Sequence, residues 1–185
     1  MILPVTLYGD PVLRKVTPDI DKDYPNLDAL IENMFETMYH AEGVGLAAPQ
    51  VGLNIRLFVA DATVLADEDP QLKDFKKAVI NPQIIERNDE LESMEEGCLS
   101  IPGIREDVSR PTKIRIQYYD ENWNFHDETY DGFAARVIQH EYDHLDGKMF
   151  VDHCSMLRKR FLKGKLTNIA KGKIRVPYQV RPPRK

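Results

Sequence analysis

Apolar positions along the chain form three helical stripes, with extended and alternating stretches between them. Leu27, Leu30, Ile31, Met34, Phe35 and Met38 recur at helical spacing and predict a first helix. Asn26 is its expected N-cap, Asp28 falls in its first turn, and it should stop near Glu42, before Gly43. His40 lies in its last turn, where a capping or packing role is expected. Phe133, Val137, His140 and His144 share one stripe of a second helix, and Ala134, Ile138, Tyr142 and Leu145 a second stripe. A helix apolar on two stripes is largely buried. Asp131 is its expected cap and Gly147 its stop. A third helix is predicted from Ser155 to about Ala170, built on Met156, Leu157, Phe161, Leu162, Leu166 and Ile169 and weakened by Gly164.

The stretches between the helices predict strands. Residues 55–60 read as one, and residues 78–80 and 83–87 as two segments broken at Asn81-Pro82. Residues 91–95 continue in extended form. Ile114, Ile116 and Tyr118 face one way and Arg115 and Gln117 the other, and after a turn at 120–122 residues 123–130 return as the second arm of a hairpin. Residues 61–77 are acidic and predict a surface excursion with a short helix near 71–76. Turn signals at Tyr8-Gly9-Asp10-Pro11 and Thr17-Pro18-Asp19 predict a mostly irregular arm over 1–24, and 171–185 reads as extended and basic.

The length of 185 residues predicts one domain with a sizeable core, and no apolar run approaches a membrane span. The start has no basic segment followed by an apolar one, so no signal peptide and a cytoplasmic location are expected. Two cysteines, Cys98 and Cys154, are too few for a disulfide scaffold. The net charge of -5 hides an asymmetry: from His153 onward there are eleven Lys and Arg and no Asp or Glu. That tail either folds back on the acidic body or offers a docking surface to a polyanion such as RNA.

Candidate chemistry centres on Gln139-His140-Glu141-Tyr142-Asp143-His144, an H-E-x-x-H string. Residues four apart share a helix face, so His140 and His144 can grip one metal ion, with Glu141 beside the first of them to hold a water. Chance strings of this kind occur on surface helices, but buried histidines and a buried glutamate need partners, and a metal supplies them. Two histidines leave a catalytic site one protein ligand short. Cys98, within Glu96-Gly97-Cys98-Leu99-Ser100, is the candidate for it, although a lone cysteine is more often a small buried hydrophobe. In the small-residue stretch from Gly43 to Gly52, something must approach the backbone closely. Gln50 is the long polar side chain there, and its amide can donate to a developing oxyanion. His126 and His153 read as solvated or packing residues.

Gly43-Val44-Gly45-Leu46-Ala47-Ala48-Pro49-Gln50, Glu96-Gly97-Cys98-Leu99-Ser100 and Gln139-His140-Glu141-Tyr142-Asp143-His144-Leu145-Asp146-Gly147 together resemble the three signature motifs of the peptide deformylase family. The likeness extends over roughly residues 1–165, leaving about 165–185 as an atypical basic extension and 61–77 as a longer excursion. It implies a single α+β catalytic domain: strand-rich antiparallel sheets packed around a central buried metal-binding helix, with an N-terminal helix and a C-terminal basic helix or tail. It also implies one divalent metal on Cys98, His140 and His144, Fe²⁺ by preference, with Zn²⁺, Ni²⁺ or Co²⁺ accepted. Glu141 would be the general base and later acid, and Gln50 and the Leu99 amide would stabilise the oxyanion. Gly45 and Gly97 would flank an N-formyl-methionyl nascent peptide. Val44, Phe133 and Val137 would line its methionine pocket, Arg105 would reach further along, and Arg110 with Asp143 would support the metal helix. The partners expected are formylated nascent peptides and, through the basic tail, the ribosome, with no membrane and no DNA. Two other functions fit the same residues: a small zinc endopeptidase, and a catalytically silent ribosome- or RNA-binding relative. An endopeptidase rarely uses a cysteine as third ligand, and a silent relative has no need of Glu141.

Overall fold

The computed structural model describes residues 1–183. In chain order the elements are β1 (Val5–Thr6), α1 (Leu27–His40), β2 (Gly45–Ala47), β3 (Leu57–Asp61), β4 (Lys76–Arg87), β5 (Leu91–Cys98), β6 (Ile101–Pro111), β7 (Lys113–Tyr119), β8 (Phe125–Asp131), α2 (Gly132–Leu145), α3 (Met156–Ala170) and β9 (Val180–Arg181). Strands β2, β3, β4, β7 and β8 form an antiparallel sheet in that order, β5 and β6 form a hairpin, and β1 pairs with β9 in parallel. The class is α+β, as the sequence implied.

At β3, where every residue is buried, the sheet is covered on both faces. Phe58 and Ala60 join Ala135, Val137, Ile138 and Leu145 of α2, together with Ile114 and Ile116. Leu57 and Val59 turn the other way, onto Leu27, Ile31, Met34 and Met38 of α1. A third cluster lies under the hairpin, where Ile101, Ile104 and Val108 of β6 meet Phe150 and Leu162, Leu166 and Ile169 of α3. The metal-helix candidate α2 thus lies between the sheet and the hairpin, which explains why it carries apolar residues on two stripes.

Several local expectations need correction. Asn26 starts α1 from a left-handed conformation (φ 54°) and makes no side-chain cap, although its carbonyl accepts from Leu30 N–H at 3.0 Å. Asp131 precedes α2 without a side-chain cap as well. Asn81-Pro82 does not break the strand; β4 runs through it with a bulge. There Asn81 turns left-handed (φ 53°), and its side chain exchanges two hydrogen bonds with the backbone of Ile20, at 2.9 and 2.7 Å. The excursion after β3 holds two short 3-10 turns, Thr63–Leu65 and Pro70–Leu72, instead of a helix at 71–76. The arm over 1–24 and the tail over 171–185 are not simply irregular, since they pair as β1 and β9; residues 184 and 185 of that tail lie outside the described residues. The expected strand at 55–60, the alternation in β7 and the span of α3 agree with the structure.

Candidate metal centre

Three chain segments converge on one point. His140 and His144 project from successive turns of α2 with ring centroids 5.2 Å apart. Cys98 ends β5, where the hairpin register shifts between Gly97 and Cys98 and the thiol is carried towards the helix. Its Sγ lies 3.4 Å from His144 Nε2, and the donor atoms of Cys98, His140 and His144 all lie within 4.8 Å of one another. A tetrahedral ion bound to one sulfur and two imidazole nitrogens needs separations of about 3.3–3.6 Å between those atoms, given bond lengths of about 2.3 and 2.0–2.1 Å. The trio therefore fits a divalent cation with small adjustments of side-chain rotamer.

The buried Glu96, on β5, organises this centre. Its carboxylate accepts from Arg110 Nε at 2.6 Å and Nη2 at 2.9 Å, from Arg136 Nη1 at 2.8 Å, and from His140 Nδ1 at 2.8 Å. Burial would raise its pKa, but the hydrogen bonds with His140 and Arg110 hold it well below the usual carboxylate range. With Nδ1 donating to Glu96, the Nε2 of His140 is the nitrogen left to bind a metal. Arg110 continues through Nη1 to Asp143 Oδ2 at 2.8 Å, and Asp143 also meets His153 Nε2 at 2.8 Å. The C-terminal end of α2 is held by cationic and polar donors. Arg56 Nη1 reaches Asp146 Oδ1 at 3.0 Å, Thr17 Oγ1 donates to the Leu145 carbonyl at 3.0 Å, and the Arg56 guanidinium covers the Tyr142 ring. Gly147 (φ 72°) ends the helix against the Arg14 carbonyl, where an added Cβ would come within 2.5 Å.

The two histidines have opposite electrostatic surroundings. Burial lowers the pKa of His140, but Cys98 and Glu96 outweigh it and raise the pKa well above the ordinary value, so positive charge is welcome there. Burial, followed by repulsion from His140, lowers His144 to about 3, so the ring stays neutral with one nitrogen lone pair available. Burial pushes Glu141 up to about 7, and its Oε2 has no protein hydrogen bond among the described residues. Its position depends on Gly45: an added Cβ there would lie 2.3 Å from Glu141 Oε1 and 2.7 Å from its Cδ. Gln50 sits in a 3-10 turn, Ala48–Val51, where its Oε1 accepts from Ala47 N–H at 2.9 Å. That bond turns Nε2 towards Cys98 Sγ at 3.3 Å and Ser100 Oγ at 3.2 Å.

A groove of about 670 Å³ opens onto this centre. Val44, Gly45, Gln50, Gly97, Cys98, Leu99, Arg105, Phe133, Val137, His140 and Glu141 all line it, while His144 lies behind. Arg105 stands at its edge, paired with Glu95 Oε1 at 2.7 Å. Sequence reasoning missed Glu96 and Arg136 as supports of His140, although Arg136 lies one helical turn before it. It also missed Val176, Pro177 and Tyr178 of the tail, which line the groove and carry no local signal. His126 stacks on Tyr118 and meets Asp120 Oδ2 at 2.7 Å, a packing role as expected. His153 is more than a solvated residue, because it completes the contacts of Asp143.

The fold and this centre define a metal-dependent hydrolase that carries an H-E-x-x-H helix and a cysteine as third ligand. The family model described as polypeptide deformylase matches residues 2–160. A peptide deformylase of Christiangramia forsetii is 57% identical, covering 99% of this chain and 97% of its own length. One of Cytophaga hutchinsonii is 53% identical over 99% and 98%. The crystal structure of peptide deformylase from Thermus thermophilus superposes with a TM-score of 0.83 at 39% identity, covering 94% of this chain and all of the other. The chain belongs to the polypeptide deformylase family.

Replacing Glu96 with Gln should weaken metal binding about 10- to 100-fold, the usual effect of losing a carboxylate partner behind a ligating histidine. Competition with a chelator of known affinity measures this, and an affinity within twofold of the parent would contradict the role given to Glu96.

Proposed function

We propose the following division of labour for the removal of the N-formyl group from formyl-methionyl peptides, the activity of this enzyme. The observation that carries it is the juxtaposition of the Cys98–His140–His144 donor set with a buried, unpartnered Glu141 oxygen at the floor of a small-residue groove. A divalent cation held by that set supplies Lewis acidity, the chemistry that makes water a nucleophile near neutral pH. The mixed thiolate and imidazole donors suit Fe²⁺, Zn²⁺, Ni²⁺ or Co²⁺; the choice of Fe²⁺ among them rests on the family resemblance. The thiolate beside Fe²⁺ also makes oxidation the expected route of inactivation.

Glu141 accepts the proton of the attacking water and passes it to the departing nitrogen. Burial raises the Glu141 carboxyl above its ordinary value, the direction that lets it hold a proton as well as take one. As water adds to the formyl carbon, charge grows on the formyl oxygen, where Gln50 Nε2 and the Leu99 N–H donate. The C–N bond then breaks, giving formate and a free amine. Gly45 and Gly97 leave room for the peptide backbone on either side, Val44, Phe133 and Val137 contact the methionine side chain, and Arg105 reaches further along the peptide. The position of Gly45 explains why no side chain stands there: a Cβ would occupy the space of the Glu141 carboxylate.

The tail supports a second part of the reading, contact with the ribosome. Helix α3 exposes Met156, Leu157 and Phe161 beside the exposed Arg160, Lys163 and Lys165. Among the described residues, Arg158 with Glu106 is the ion pair that joins the tail's lysines and arginines to the acidic body, so most of that charge faces outward. Among the described residues no helix is long and apolar enough to cross a membrane. Work on emerging chains beside the ribosome would place the enzyme in the cytoplasm.

Formate release from formyl-Met-Ala tests the activity directly. Glu141→Ala should keep one equivalent of metal and lose about 10²- to 10⁴-fold in rate, the range for a missing acid/base group; loss of metal together with activity would contradict its role. Reversing Arg160, Lys163 and Lys165 to Glu should abolish salt-dependent co-sedimentation with ribosomes, and unchanged binding would remove the docking surface from the account.

A further inference from the structure

The tail does more than present charge. Helix α3 ends at a left-handed Gly172 (φ 68°), with Gly172 N–H on the Ile169 carbonyl at 2.9 Å and Lys173 N–H on the Asn168 carbonyl at 2.8 Å. The chain then doubles back, lines the groove with Val176, Pro177 and Tyr178, and is tied down again beyond them. Val5 N–H donates to the Gln179 carbonyl at 2.9 Å and Leu7 N–H to the Arg181 carbonyl at 3.1 Å. The Arg181 guanidinium donates to Thr6 Oγ1 at 2.8 Å and fills the space over Gly52, where an added Cβ would lie 1.8 Å from its Nη2. Tyr178 therefore sits between two anchored ends.

Its target is the two-residue turn Leu99–Ser100 that joins β5 to β6. Three polar groups of this turn are held by three different segments. Ser100 Oγ accepts from Gln50 Nε2, the Ser100 carbonyl accepts from Tyr8 N–H at 2.9 Å, and the Leu99 carbonyl accepts from Tyr178 Oη at 2.8 Å. The carbonyl belongs to the peptide after Leu99 and the N–H to the peptide before it, and the two planes meet at the Leu99 Cα, so a bond to the carbonyl restrains where that Cα, and the N–H carried on it, can move. We propose that Tyr178 is a positioning residue for deformylation, holding the Leu99 backbone in place so that its N–H stays within reach of the developing oxyanion. Burial pushes the Tyr178 phenol up to about 12, so the hydroxyl stays a donor at working pH. Tyr178 acts through Leu99, and the inference rests on the reading of Leu99 as an oxyanion donor.

Tyr178→Phe removes the hydroxyl and keeps the ring that walls the groove. With metal-loaded protein and formyl-Met-Ala, kcat should fall about tenfold, less than the roughly hundredfold or greater loss on deleting an oxyanion donor outright. KM should stay within twofold, and metal content and Tm should match the parent. A kcat within twofold of the parent overturns the proposal, as does a fall in kcat accompanied by loss of metal or by a lower Tm, which marks a purely structural role. An inactive parent enzyme would instead refute the deformylation reading itself, and this inference with it.

Discussion

One buried carboxylate holds the centre together. Glu96 accepts hydrogen bonds from two guanidiniums and one imidazole, and these donors come from two sides of the fold: Arg110 from the facing hairpin strand, Arg136 and His140 from successive turns of α2. Arg136 adds bonds to the carbonyls of Val108 and Glu92, at 2.7 Å each, and so staples the hairpin backbone to the helix. Taking such charges out of water is costly, and the cost is met only while every partner is present. The network is thus worth more as a device for fixing position than as a source of stability. It sets the distance between the strand that carries Cys98 and the helix that carries the two histidines, and it decides which nitrogen of His140 is free to bind.

The rest of the architecture serves the same geometry. The five-stranded sheet supplies a rigid backing for α2, and its edge strand β2 comes so close to Glu141 that only glycine fits at position 45. The 3-10 turn after β2 fixes the Gln50 amide by its own backbone and aims it across the cavity at Cys98. The N-terminal arm and the C-terminal tail, which meet as β1 and β9, close the far side through Tyr8 and Tyr178. Groups drawn from both ends of the chain therefore surround an active centre whose ligands lie in its middle and in its last third.

Much of this was legible from local pattern. The helices α1, α2 and α3 announce themselves by spacing, and β7 by alternation, because α1, α3 and β7 each bury one face against a continuous core and α2 buries two. Strand β6 gave no such signal: Pro102 and a left-handed Gly103 (φ 78°) at its start imitate a turn, and its buried residues Ile101, Ile104, Val108 and Arg110 do not alternate evenly. The site's residues were visible because their chemistry is tied to short spacings, the histidines four positions apart and Gly43 and Gly45 two positions apart. Glu96 was not, since in sequence it is one more acidic residue in a polar strand; only arginines 14 and 40 residues away make it a buried hub. Tyr178 was hidden for the same reason, its partner Leu99 being 79 residues distant.

The central claim is that one thiolate and two imidazoles share a single ion. X-ray absorption spectroscopy of the anaerobically prepared, metal-loaded protein tests it most directly. The account predicts one sulfur scatterer at about 2.3 Å together with two imidazole nitrogens at about 2.0–2.1 Å. A spectrum with no sulfur shell, from protein that is nevertheless active, would contradict it.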